Sequence, residues 1–347
     1  MIAPSLINMR PMNYSKTNFY IYVLASLLAY CVIVLGAYTR LSDAGLGCPD
    51  WPGCYGEFFV PEGTDAMARA NEAFPERPLE KSKAWKEMVH RYAAETLGLL
   101  ILFLTIKSWV SRAKGRPTQL FAPNALLVMV IFQGALGMWT VTLLLKPVIV
   151  TAHLLGGMSI LALLYWLSIT AFQPLLGYKR SRLTPWVAAG LVLVFCQIAL
   201  GGWTSANYSA LICTDFPTCQ GQWWPQMDFR EGFTLWRGLG VDYEGGVLDA
   251  MSRTAVHVTH RVGALLTFLA IGSLAVSAFM MKNQALRRCA CVVMFVLLTQ
   301  ISLGIANVLL VLPLPVAVAH NAVAALLVLS LITLLYFSYS KNGNAEN

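Results

Sequence analysis

Charge is what this sequence has least of. Only 12% of its 347 residues are Asp, Glu, Lys or Arg, against about 25% in an average soluble domain. That shortage excludes a chain folded around one water-soluble core, and a hydrophobic share of 57% with a mean hydropathy of +0.61 points to lipid instead. Acids are nearly absent from the apolar runs: 15 of the 17 fall in two stretches, 40–88 and 205–256, and only Glu95 lies inside a run. The first run also lacks a small-residue cleavage site. It ends in TRLSD, which excludes a removed signal peptide and makes the run an anchor.

What is present is a series of apolar runs beginning near Phe19, Val89, Ala122, Ile149, Pro185, His257, Cys289 and Val316. Each holds about 20 residues, enough to cross a bilayer. Basic residues alternate with them. Placing the amino terminus inside puts Arg10 and Lys16 inside, followed by Lys107, Arg112, Lys114 and Arg116. Lys179, Arg180 and Arg182, then Lys282, Arg287 and Arg288, and finally Lys341 fall on the same side. The short outer turns hold only Lys146. This positive-inside pattern predicts two cytoplasmic termini. The net charge of +8 therefore reports topology and anionic lipid, and gives no reason to expect nucleic acid.

The chain repeats itself. CVIVLGAYTRLSDAGLGCPDWPGCYG, from Cys31, and CQIALGGWTSANYSALICTDFPTCQG, from Cys196, agree without gaps at 11 of 26 positions. Chance gives about two at usual residue frequencies. Further on, IFQGALG answers LTQISLG, pairing Gln133 with Gln300 and Gly137 with Gly304. The expected fold is an all-α integral membrane protein. Its eight transmembrane helices form two tandem four-helix bundles related by a pseudo-two-fold along the membrane normal. The boundaries follow: a tail 1–18, a first bundle 19–175 with outer loop 40–88, a linker 176–183, a second bundle 184–340 with outer loop 205–256, and a tail 341–347.

Both outer loops carry cysteine pairs, Cys48 with Cys54 and Cys213 with Cys219. Structural disulfides suit an outer, oxidising face, with redox-active dithiols and metal ligation as alternatives. Cys31, Cys196, Cys289 and Cys291 are expected to be buried, inert thiols.

Four of the five histidines, His90, His153, His260 and His320, lie near the outer ends of the even-numbered spans. One alone reads as a hydrogen-bonded interface residue. Four at one depth, two per repeat, read as iron ligands, because bundle cores hold cofactors by side chains from facing helices. Small residues follow one turn on, namely Ala93 and Ala94, Gly156 and Gly157, Gly263 and Ala264, and Ala324. They are expected to let a porphyrin approach the backbone, ordinary small-residue helix packing being the alternative. Two bis-histidine haem sites, one per half, is the simplest reading.

Arginine follows two of these histidines. Arg91 and Arg261 suit a haem propionate, while Arg91 has Glu95 at i+4 as an alternative partner. The halves differ one turn earlier, where Glu87 precedes His90 and His257 precedes His260. Glu87 is placed either to take substrate protons or simply to be solvated at a helix start. Gln133, Gln197 and Gln300 are expected to join helices.

Taken together, these eight spans in two repeats, the two HR pairs, the histidines of spans four and eight, GLGCPDWPGC and the second cysteine pair resemble the haem A synthase family, over nearly the whole chain. The resemblance implies oxidation of the C8 methyl of haem O, via a hydroxymethyl intermediate, to the formyl group of haem A for cytochrome c oxidase assembly. It implies a resident haem b on His260 and His320, substrate haem O on His90 and His153, and a functional role for Glu87. Haem O synthase, cytochrome c oxidase assembly factors and a second copy of the chain are the partners it brings into view, with the electron acceptor unspecified. The lack of an Arg-rich, Ser-rich leader favours a bacterial inner membrane. Competing readings are a di-haem b electron-transfer protein, an outer-face thiol-quinone oxidoreductase and a haem carrier.

The charge pattern makes a direct prediction. Thiol labelling from the outer face, after reduction, should reach Cys48, Cys54, Cys213 and Cys219. Labelling of Cys289 in their place would invert the topology.

Overall fold

The computed structural model describes residues 16–116, 118, 120–173, 175 and 179–340. Arg10, Lys341 and residues 176–178 of the expected linker lie outside the described residues. The first half contains α1 (Lys16–Leu41), a short α2 (Thr64–Ala73), α3 (Lys81–Ala113), α4 (Phe121–Thr142) and α5 (Pro147–Phe172). The second contains α6 (Thr184–Ala206), a one-turn α7 (Phe229–Gly232), α8 (Ala250–Met280), α9 (Gln284–Leu309) and α10 (Leu314–Phe337). All except α2 and α7 are long and apolar enough to span a membrane. The chain is an all-helical, multi-pass membrane protein. Strands β1 (Lys179–Arg180) and β2 (Tyr339–Ser340) form one small antiparallel pair that ties the chain before α6 to the end of α10.

Local chemistry sets the helix starts. Prolines occupy the first turns of α5, α6 and α10, where a missing N–H breaks no helical bond. The Asp249 carboxylate accepts the Ser252 N–H to cap α8, and Asn283 accepts two amides to cap α9. The apolar runs predict starts near Val89 and His257, but α3 begins at Lys81 and α8 at Ala250. The added turns are invisible to a hydropathy reading because they pack on the outer loops. Ala84 and Met88 bury against Cys48 and Cys54, and Val256 against Trp203 and Leu248.

In the first half α1 and α4 each pack on both α3 and α5; in the second, α6 and α9 each pack on both α8 and α10. The halves meet through α5 with α6, α1 with α10, and α5 with α10. Ile101, Leu126, Leu161, Leu164, Ile271 and Leu331 fill the interior. Leu99, Phe103, Ile131, Leu265 and Phe295 point outward, which costs nothing where the neighbour is hydrocarbon. The free cysteines correct one expectation. Cys31, Cys196 and Cys291 are exposed at the protein surface and Cys289 partly so. A thiol is apolar enough to face lipid as readily as a core.

The second outer loop reaches back over the first half. Lys146, only 1% exposed, donates to the Gly238 carbonyl and lies 3.4 Å from the centroid of the Trp236 ring. Arg77 pairs with Asp242 and Glu244, and Arg40 donates to the Ser205 carbonyl. A desolvated cation–π contact is worth about 2 kcal/mol or more. Lys146→Met should therefore free the 234–248 segment and raise tryptic cutting at Arg237 several-fold. Unchanged cutting would mean that the ion pairs of Arg77 hold the loop by themselves.

Candidate functional site

The four span histidines come together in two pairs. In the first half, the rings of His90 on α3 and His153 on α5 lie with centroids 6.5 Å apart and planes at 82°. In the second, His320 on α10 lies close enough to His260 on α8 to interact with it electrostatically. A metal bound at about 2 Å by one nitrogen of each of two imidazoles spaces their centroids about 6 Å apart, so the first pair fits one ion between its rings. Among the described residues no cluster of three or more His, Cys, Asp or Glu side chains exists. A metal held by two histidines here must bring its remaining ligands with it, as the iron of a haem does. The Nδ1 atoms of His90, His153 and His320 are buried without a hydrogen-bond partner, a state that calls for an explanation in a folded protein. The residues fit a haem.

Each ring is seated on a glycine of a neighbouring helix. A Cβ added to Gly36 on α1 would stand 2.8 Å from His90 Cε1, and one on Gly137 on α4 would stand 3.3 Å from His153 Cε1. At Gly201 on α6 and Gly304 on α9 the distances to His260 and His320 are 3.2 Å and 3.1 Å. Sequence reasoning missed these seats. The signal was available, since all four glycines are matched between the repeats inside apolar runs, but nothing local says what a glycine faces.

The glutamines do more than join helices. Gln133 Nε2 donates to the His153 carbonyl at 2.7 Å, and Gln197 Nε2 donates to the His260 carbonyl at 3.0 Å and lies 3.1 Å from its Nδ1. Gln300 Nε2 is 3.3 Å from His320 Nε2. They also correct the reading of the small residues one turn past the histidines. A Cβ on Gly156 would stand 2.1 Å from Gln133 Oε1, and one on Gly263 2.3 Å from Gln197 Oε1. Those two clearances are filled by glutamine amides, so they are not open to a macrocycle.

Both cysteine pairs are closed as disulfides, Cys48–Cys54 and Cys213–Cys219. Each loop is organised by its aspartate: Asp50 accepts from the Tyr55 and Gly56 amides, and Asp215 from the Gln220 and Gly221 amides and the Thr218 hydroxyl. Gly56 and Gly221 sit at φ +80° and +73°, which a side chain would strain. The arginines beside the histidines grip these loops. Arg91 donates to the carbonyls of Asp50, Pro52 and Gly53 and pairs with Glu87; its expected alternative partner Glu95 is exposed and one turn further on. Arg261 donates to the carbonyls of Cys213 and Thr218 and, through Nε, to His257 Nε2.

Glu87 is not solvated. It is 4% exposed, with one carboxylate oxygen accepting the Cys48 N–H at 2.9 Å and the other accepting from Arg91. His257, in the matching place, is also 4% exposed. The histidine and loop residues named from the sequence thus gather at the amino-terminal ends of α3, α5, α8 and α10, beneath the two disulfide loops.

A sequence family described as COX15-CtaA, cytochrome oxidase assembly protein, matches residues 19–332. The chain is 43% identical over 321 residues to the haem A synthase of Shewanella oneidensis, covering 91% of this chain and 94% of that one. It is 28% identical over 335 residues to the haem A synthase of Methylobacterium radiotolerans, covering 90% and 87% of the two chains. The haem A synthase of Maricaulis maris is 27% identical over 333 residues, with 89% and 92% covered.

The aspartate of the second loop makes the site pH-sensitive at its edge. The Thr218 hydroxyl first, then the Gly221 amide and more weakly that of Gln220, hold Asp215 down to about 2, from an ordinary value near about 3.9. A depressed carboxylate stabilises the fold fully above its unfolded value and loses that contribution as pH falls through the folded one. Pepsin should therefore cut the 213–221 loop increasingly as pH drops from 4 towards 2, while Asp215→Asn should already be cut at pH 4. Equal rates for parent and variant at pH 4 would remove Asp215 from the loop's support.

Proposed function

The chain belongs to the COX15-CtaA family of cytochrome oxidase assembly proteins, and from that premise we propose that it is a haem A synthase. It oxidises the C8 methyl of haem O, through the hydroxymethyl stage, to the formyl group of haem A. The observation that carries this reading is the His90–His153 pair, spaced for one iron, with Glu87 buried one turn before His90.

On this reading the protein is two tandem four-helix bundles, 19–175 and 184–340, related by a pseudo-two-fold along the membrane normal. Support comes from the matching helix contacts and from left-handed residues at matched positions, Asp43 with Tyr208 and Tyr55 with Gln220. His90 and His153 hold the substrate haem, and His260 and His320 hold a resident haem b, which supplies a one-electron centre. The site lies at the outer face of a bacterial inner membrane with both termini inside. Haem O synthase and oxidase assembly factors are the partners the reading implies.

The residues divide the work. The glycine seats fix the planes of the imidazoles, and the glutamines fix the helix segments that carry them. Arg91 and Arg261 clamp the disulfide loops over the histidine ends, which leaves most of their donors committed to loop carbonyls rather than to propionates. Glu87 takes a proton from the substrate at a carboxylate oxygen. Both of its oxygens already accept bonds, from Cys48 N–H and Arg91, so protonation of either weakens the hold on the first loop.

Visible spectra and pigment chromatography test the assignment. His320→Ala should remove the low-spin haem b, whereas His90→Ala or His153→Ala should leave it and abolish conversion of haem O. Glu87→Ala should keep both haems and slow oxidation by about 10²–10⁴-fold, the usual worth of general acid–base help. Haem A made at the parental rate by Glu87→Ala would end its catalytic role. Loss of haem b from His90→Ala with His320→Ala harmless would reverse the halves.

A further inference from the structure

The glutamine contacts are not equal across the four histidines. Two are fully built: Gln133 reaches the His153 carbonyl over Gly156, and Gln197 reaches the His260 carbonyl and ring over Gly263. One is partial, since Gln300 reaches only the His320 ring, and the residue three past His320 is Val323. The fourth is missing. The repeat that aligns Cys31 with Cys196 places Val32 where the second half has Gln197, and pairing His90 with His260 places Ala93 where it has Gly263. Among the described residues no amide side chain bonds to His90; its ring bonds to the Val32 backbone and rests against Gly36.

The two substitutions belong together. Gln197 needs a residue without Cβ opposite it, because its Oε1 sits 2.3 Å from where that atom would be. Val32 needs no such clearance, and Ala93 provides none. The latch is therefore absent as a unit at His90, whereas it is complete at His153 and His260 and partial at His320. A carboxamide bonded across two helices in hydrocarbon finds no water to exchange with, so it ties the ligand's helix segment to its neighbour.

We infer that Val32 and Ala93 make His90 the unlatched ligand of the protein, and that substrate haem enters and product haem leaves by release of His90, while His153 stays held by Gln133. This rests on the reading that the amino-terminal half takes the substrate. It assigns Val32 and Ala93 as positioning residues that set haem residence without touching the reacting methyl. The second half, with both histidines bonded by glutamine, keeps its haem.

The test measures haem dissociation from the full-length protein in lipid nanodiscs, using a haem-scavenging apoprotein and chromatography to tell haem O from haem b. Val32→Gln with Ala93→Gly should slow release of haem O by about three- to twentyfold, the range of one interhelical hydrogen bond in a membrane. The haem b spectrum should not move. Gln197→Val with Gly263→Ala should speed loss of haem b by a similar factor, and Gln133→Leu should speed loss of haem O, which keeps the idea testable if the first variant misfolds. Parental release rates in any of these variants that fold would overturn the latch. Faster loss of haem b than of haem O in the parent would instead overturn the assignment of the halves, leaving the latch contacts to be reassigned.

Discussion

An imidazole buried among lipid-facing helices must find every one of its partners inside the protein, and the rest of this structure follows from that constraint. Water is not there to solvate a stray nitrogen or amide. The structure answers with a glycine under each ring, which lets the helices approach closely enough to fix the ring edge. It also brings glutamines from α4, α6 and α9 to the histidines of α5, α8 and α10. What remains unpartnered is a set of buried ring nitrogens, and these are what a haem iron would take.

The face that carries the disulfide loops is built by a second device used twice. A disulfide closes each short loop, an aspartate accepts two of its amides, and an arginine one residue after a histidine grips its carbonyls. The device joins the histidine-bearing helix to the loop directly above it, so the loop cannot move without disturbing the helix end. Within this common frame the halves diverge at one position, Glu87 against His257. The carboxylate accepts from the Cys48 amide and from Arg91, whereas the imidazole accepts from Arg261.

The two halves are joined at both ends. Inside the membrane α5 packs on α6 and α10, and α1 packs on α10. At the disulfide-loop face Lys146 is buried under Trp236 and Gly238 from the other half, with Arg77 and Arg40 reaching across beside it. The histidine pairs therefore sit in one continuous body.

Much of this was legible in the sequence. Low charge and eight apolar runs determined a multi-pass helical chain, since only internally hydrogen-bonded segments cross lipid. The repeat from Cys31 and Cys196 picked out the cysteine loops, and the shared place of four histidines near the ends of the even-numbered spans picked out those residues and the contrast of Glu87 with His257. The starts of α3 and α8 were not legible, because turns that pack on a folded loop carry no hydropathy signal. Nor were the partners of Arg91, whose choice of Glu87 and loop carbonyls over Glu95 depends on where the disulfide loop lands. The role of Gly156 and Gly263 was misread for the same reason. A small residue announces that something comes close, but only the packing of α4 on α5 and of α6 on α8 decides that the visitor is a glutamine amide. Sequence periodicity reports what each helix offers, and contact between helices far apart in the chain settles what each offer meets.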